Sequence, residues 1–96
     1  MSPEIRVGLI GAGRIGRVHA ENLALRIPQA KVCAVVDIVL EAAQKCAASF
    51  GIPTAARDHR VLMEDPAIEA VIICSSTDTH SQMIEEAAAA GKQIFC

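Results

Sequence analysis

The sequence predicts an α/β domain built on a doubly wound parallel sheet. Three observations carry that expectation. Strand-like apolar runs alternate with stretches of helical periodicity along all 96 residues. Gly11, Gly13 and Gly16 mark a sharp turn between the first strand and the first helix. The second apolar run ends on an acid, Asp37, 21 residues beyond Gly16. Strands alternating with helices form a parallel sheet covered on both faces, and right-handed crossovers leave the doubly wound order as the simplest one.

The elements follow in order. Ile5 to Ile10 (IRVGLI) is a short apolar run ending at a glycine, a strand. Arg14 to Arg26 carries Ile15, Val18 and Leu23 at helical spacing, and Pro28 stops it. Lys31 to Asp37 (KVCAVVD) is nearly continuous in apolar character, as a doubly covered strand requires. Val39 to Phe50 is a helix with Leu40, Ala43, Ala47 and Phe50 on one stripe, ended by Gly51 and Pro53. Thr54 to Ala56 can form a short strand, and Asp58 to Met63 a brief helix. Ala70 to Cys74 (AVIIC) is a strand, Ser81 to Ala90 a helix capped by Gly91, and Gln93 to Cys96 a fifth strand. That last strand leaves an apolar sheet edge, which points to a fragment or to a partner that completes it.

Bulk properties narrow the classes of function. The length allows one domain, and 52% hydrophobic with 21% charged residues is a globular composition. A net charge of −2 with scattered Lys and Arg presents no basic face for nucleic acid. No apolar run approaches a membrane span, and the N-terminus lacks the basic region and the cleavage site of a signal peptide, so none is expected. Cys33, Cys46, Cys74 and Cys96 show no C-x-x-C pair and no nearby histidine, so a metal site is not expected. Their apolar settings predict buried, reduced thiols in a cytoplasmic protein.

The glycines stand at G-x-G-x-x-G spacing, after a strand and before a helix, with an acid at the end of the next strand. That context is the dinucleotide fingerprint of the Rossmann fold. Gly11 allows the turn, Gly13 lets the backbone approach a pyrophosphate, and Gly16 lets helix and strand pack closely. Ala12, Arg14 and Ile15 complete the loop, and amides around Arg14 and Ile15 face an anion at the helix N-terminus. The Arg14 side chain either adds charge there or is a solvated helix-start residue. Asp37 is placed to accept hydrogen bonds from the adenine-ribose hydroxyls and to repel a 2′-phosphate, which favours NAD over NADP. The competing reading makes Asp37 a cap for the next helix. Ile38 follows, where an arginine would have suited NADP.

Strand four ends in SSTDTH, Ser75 to His80. In a doubly wound sheet this strand lies beside the first, so Ser75, Ser76 and Thr77 should line the floor beneath the cofactor. Thr79 with Gln82 also fits a capping box, so part of the segment can simply start a helix. His80 then falls in the first turn, as a structural or a cofactor-side residue. His19 and His59 have no evident partner, and His59 is expected to be solvated. Glu85 and Glu86 read as an outer, charged helix face.

RVGLIGAGRIGRVHAENL, the acid-ended second strand and VIICSSTDTHSQMIEEAAAAGKQIFC together resemble the glucose-fructose oxidoreductase/inositol dehydrogenase/MocA family. Among its members they are most similar to the bacterial inositol 2-dehydrogenases. The resemblance covers essentially the whole chain. The family's strand-four turn commonly reads T-P-N-x-x-H. Here Ser75, Ser76 and Thr77 hold the first three positions and His80 the last, a position near the nicotinamide side. The resemblance implies a homo-oligomeric NAD-dependent dehydrogenase that oxidises a secondary alcohol of a polyol or sugar, with myo-inositol the leading substrate. A Glu-Lys-Pro segment with a catalytic lysine, and a second domain holding the substrate pocket, would lie beyond Cys96. Residues 1–96 would then bind cofactor without turnover and hold no catalytic residue. Two alternatives stay open: a stand-alone NAD-binding sensor without catalysis, and a truncated product that folds poorly.

Overall fold

The computed structural model describes residues 5–13, 16, 18, 21–22, 30–74 and 77–95, the side chains of 77–80 excepted. The strands are β1 (Ile5–Ile10), β2 (Ala30–Val36), β3 (Thr54–Ala56), β4 (Ala70–Ile73) and β5 (Gln93–Phe95). The helices are α1 (Leu40–Phe50), α2 (Arg60–Met63) and α3 (Thr77–Ala89). Of the helix expected from Arg14 to Arg26, Gly16, Val18, Glu21 and Asn22 are helical, and the rest lies outside the described residues.

All strand pairs are parallel, in the order β3-β2-β1-β4-β5. This is the doubly wound sheet that the alternation of elements predicts. Buried side chains form a core on each face. Val7, Leu9, Val32, Val35 and Ile72 pack with Ala43 and Cys46 of α1. Ile10, Ala34, Val36, Val71 and Ile73 pack with Leu62 of α2 and Ala87 of α3. Fully burying Leu62 contributes roughly 2 kcal/mol. Phe95, on the outer strand β5, is 55% exposed.

Strand β2 owes its double cover to a bulge. Val7 pairs with Val32, but Gly8 pairs with Ala34, so Cys33 is the extra residue. A strand turns successive side chains to opposite faces. The added residue shifts that phase and puts Val35 back on the face of Val32. The expected burial of the thiols holds for Cys46. Cys33 and Cys74 are only partly buried, because the bulge and the strand end carry them to the margins of the core. Cys96 lies outside the described residues.

The observed helix starts differ from the expected ones by one to four residues. Helix α1 starts at Leu40 and ends at Gly51, whose left-handed φ of 68° lets the chain leave the helix. Helix α3 starts at Thr77, four residues before the expected Ser81. Thr79 is therefore inside the helix and cannot be its N-cap, which corrects the capping-box reading.

Candidate functional site

Four strands end on one level. The Gly11 amide donates to Val36 O at 2.8 Å, Cys74 N to Ile10 O at 2.7 Å, and Asp37 N to Ala56 O at 3.1 Å. The segments leaving β1, β2, β3 and β4 therefore meet, and a cleft of about 360 Å³ opens between them. In parallel sheets this is where ligands sit, outside the C-terminal ends of the strands at the switch in strand order.

Each glycine has its own role in the turn. Gly11 has φ 98°, a conformation that other residues adopt only with strain. A Cβ on Gly16 would lie 2.0 Å from Gly11 O, so the helix rests directly on the turn. Among the described residues, a Cβ on Gly13 would meet nothing within 4 Å. Gly13 lines the cleft, so the space above its backbone is the space a ligand would enter.

Asp37 joins the two sides of the site. Its Oδ2 accepts from the Ala12 amide at 2.8 Å, which ties the glycine turn to the end of β2. Its Oδ1 accepts from the Val39 amide at 2.9 Å, an Asx turn leading into α1. The N-cap position of α1 is Val39, without a side-chain bond, so Asp37 is not the helix cap. Among the described residues each carboxylate oxygen accepts one hydrogen bond, which leaves it a second lone-pair direction. Asp37 lines the cleft beside Ile38, which is 85% exposed.

Arg14, Ile15, Ser75, Ser76 and His19 lie outside the described residues. Thr77 and His80 are placed in the first turn of α3 by backbone alone. The cleft also has walls that sequence reasoning missed. Val39 extends the Ile38 lip, Arg57 and His59 come from the segment after β3, Cys74 ends β4, and Met83 faces in from α3. No signal in the sequence marks Arg57, whose place beside Asp37 comes from the parallel register of β2 and β3.

His59 is not solvated. Its side chain is 20% exposed, and the Glu86 carboxylate accepts from its Nε2. The Asp58 carboxylate lies 3.9 Å from its Nδ1. Glu86 therefore does not belong to an outer charged face. It is half-buried and ties α3 to the segment before α2. Among the described residues, no three His, Cys, Asp or Glu side chains gather as a metal site, and no helix is long and apolar enough to cross a membrane.

Asp58 and Arg60 brace the same segment. Arg60 Nε and Nη2 donate to Asp58 Oδ2 at 3.0 and 2.8 Å, and the Arg60 amide donates to Oδ1 at 2.9 Å. The side-chain bonds first, and the amide second, hold the Asp58 carboxyl down at about 2. The contact therefore favours the folded turn fully above the ordinary value of 3.8 and fades as pH falls through about 2. An NMR pH series should place Asp58 near 2 and return it toward 3.8 in Arg60→Ala. The same titration in both proteins would contradict this account.

A glycine turn under open space, a carboxylate at the end of β2 and a cleft across the switch in strand order define a dinucleotide-binding domain of the Rossmann type. The family model of oxidoreductases with an NAD-binding Rossmann fold, GFO_IDH_MocA, matches residues 5–96. The chain belongs to this family. It is 47% identical over its whole length to an uncharacterised oxidoreductase of Bacillus subtilis, of which it covers 28%. It is 41% identical over 96% of its length to the myo-inositol 2-dehydrogenase of Thermotoga maritima, of which it covers 27%. The crystal structure of myo-inositol dehydrogenase from Lactobacillus casei, in complex with NAD(H) and myo-inositol, superposes with a TM-score of 0.89 at 34% identity. That match covers 95% of this chain and 27% of the crystallised one. The chain thus spans little more than a quarter of the relatives it matches.

Proposed function

We propose that these residues are the cofactor domain of an NAD-dependent dehydrogenase that oxidises a secondary alcohol of an inositol or a related polyol. The observation that carries the reading is the open space at Gly13, between the turn that Gly16 supports and the carboxylate of Asp37. A pyrophosphate fits that space, because the missing Cβ lets its oxygens reach the backbone of the turn. The bound nicotinamide would accept a hydride from the substrate carbon. The chain's own residues do the holding. The turn carries the pyrophosphate, and the free lone pairs of Asp37 take the ribose hydroxyls. By the family resemblance, Ser75, Ser76 and Thr77 would serve the middle of the cofactor and His80 its nicotinamide side. The polyol class rests on the similarity to inositol dehydrogenases. Substrate binding and proton transfer belong to a further domain of the parent enzyme, which we place in the cytoplasm as a homo-oligomer.

Calorimetric titration with NAD and NADP tests the reading. NAD should bind more tightly, since the Asp37 carboxylate repels a 2′-phosphate. Asp37→Asn turns one oxygen into a donor facing a backbone amide. It should narrow the preference at least fivefold and lower stability by about 1–3 kcal/mol. Equal affinity for both nucleotides in the unchanged chain would remove Asp37 from the account.

A further inference from the structure

The strand order divides the site into two halves. Strands β1, β2 and β3 form one, and β4 with β5 the other. A dinucleotide lies across such a sheet with one nucleoside on each half. Helix α3 belongs to the second half, since it connects β4 to β5. Its first turn starts just beyond the end of β4, and its Met83 lines the cleft. Yet the helix is lightly held. Along residues 81–89 the small Ala87 is fully buried, Met83 and Glu86 are partly buried, and the rest are exposed.

Among the described residues, two polar side-chain ties hold α3 to its neighbours. Past its end, Lys92 Nζ donates to Asp65 O at 2.8 Å and to Ile68 O at 2.6 Å. Strand β5 begins there, so this tie lies away from the cleft. The other tie is Glu86, about one turn after Met83, which accepts from His59 Nε2. His59 follows β3, so this pair joins the two halves of the site. The β3 side of the pair is fixed independently. Arg60 forks Asp58, and the Leu62 amide donates to His59 O at 3.0 Å. Breaking the pair therefore releases the helix and leaves the backbone of His59 in place. Held by Lys92 alone, the cleft-side end of α3 can swing.

We propose that Glu86 is a positioning residue that, through His59, holds the first turn of α3 within reach of the second nucleoside, the nicotinamide one. The proposal rests on the dinucleotide reading of the cleft. The contact prepays the ordering of α3 that binding would otherwise cost. It serves the nicotinamide half, while the adenosine half and the glycine turn stand without it.

Calorimetric titration of the unchanged chain, Glu86→Ala and Glu86→Gln with NAD and with ADP tests this role. ADP carries the adenosine and the pyrophosphate but no second nucleoside. Glu86→Ala should weaken NAD about three- to tenfold and ADP by less than about twofold. Glu86→Gln should recover most of the loss, because its amide oxygen accepts the same N–H. Equal losses on NAD and ADP, or none on either, overturn the positioning role alone. A glutamine variant no better than alanine overturns it too, since charge and not the contact would then be the cause. Far-UV circular dichroism reads the fold. If the alanine variant does not fold, Glu86→Asp, one methylene too short for His59, is read in the same way. Unfolding of both makes the pair a stability element and overturns the role. Failure of the unchanged chain to bind either nucleotide overturns the dinucleotide reading and the positioning role with it.

Discussion

Gly16→Ala is expected to destabilise the protein severely. The added Cβ would lie 2.0 Å from Gly11 O and 2.9 Å from the Gly11 carbonyl carbon. Both are backbone atoms, so no rotamer change can relieve the overlap. Either the helix must lift from β1, or Gly11 must leave the φ of 98° that turns the chain. Ordinary overpacking costs about 1–3 kcal/mol because side chains yield. Here the backbone itself must move, and a loss of roughly 4 kcal/mol or more follows. A domain of this size has about 5–15 kcal/mol in all. Urea unfolding followed by circular dichroism should show a midpoint lowered by about a quarter or more, or no native baseline. A midpoint equal to that of the unchanged protein would mean that helix and turn are not in contact.

Gly13→Val is expected to do the reverse: keep the fold and lose the cofactor. Among the described residues, nothing lies within 4 Å of the position a Cβ would take, and Gly13 is not among those with positive φ. The urea midpoint should therefore move little. The new side chain fills the space above the turn and keeps a pyrophosphate from the backbone amides. Loss of two charge-assisted hydrogen bonds, at about 1.5 kcal/mol each, weakens NAD roughly a hundredfold. Calorimetry reads that directly. Tight NAD binding by a folded Gly13→Val protein would place the pyrophosphate elsewhere. Three residues apart in one motif, the two glycines separate structural need from ligand need.

Much of this was legible before any coordinates. The glycine spacing, the strand before it and Asp37 after it are local signals. The strand order follows from alternation and from the rules of parallel sheets. What escaped depends on contacts between distant elements. His59 and Glu86 are 27 residues apart, on segments that meet only once β4 has placed α3 beside α2. No periodicity marks such a pair, so His59 read as solvated and Glu86 as an outer charge. Arg57 escaped for a related reason: its place in the cleft comes from the register of β2 and β3, not from its own neighbours. The double duty of Asp37 was half visible. Its position at the strand end was clear, but its bond to Ala12 needed the turn in three dimensions.

The strand order also bears on how the chain is made. Strand β1 sits between β2 and β4, with Ile5 set against Ala30 on one side and Val7 against Ala70 on the other. On a ribosome its first neighbour, β2, emerges early, and its second, β4, only about forty residues later. At about 5–20 residues per second, that is an interval of several seconds. Throughout it, one side of β1 has backbone groups with no strand to meet, flanked by Val7, Leu9 and Ile10. Nascent chains stalled before Ala70 should therefore engage holding chaperones, and chains extended past Phe95 and clear of the exit tunnel should release them.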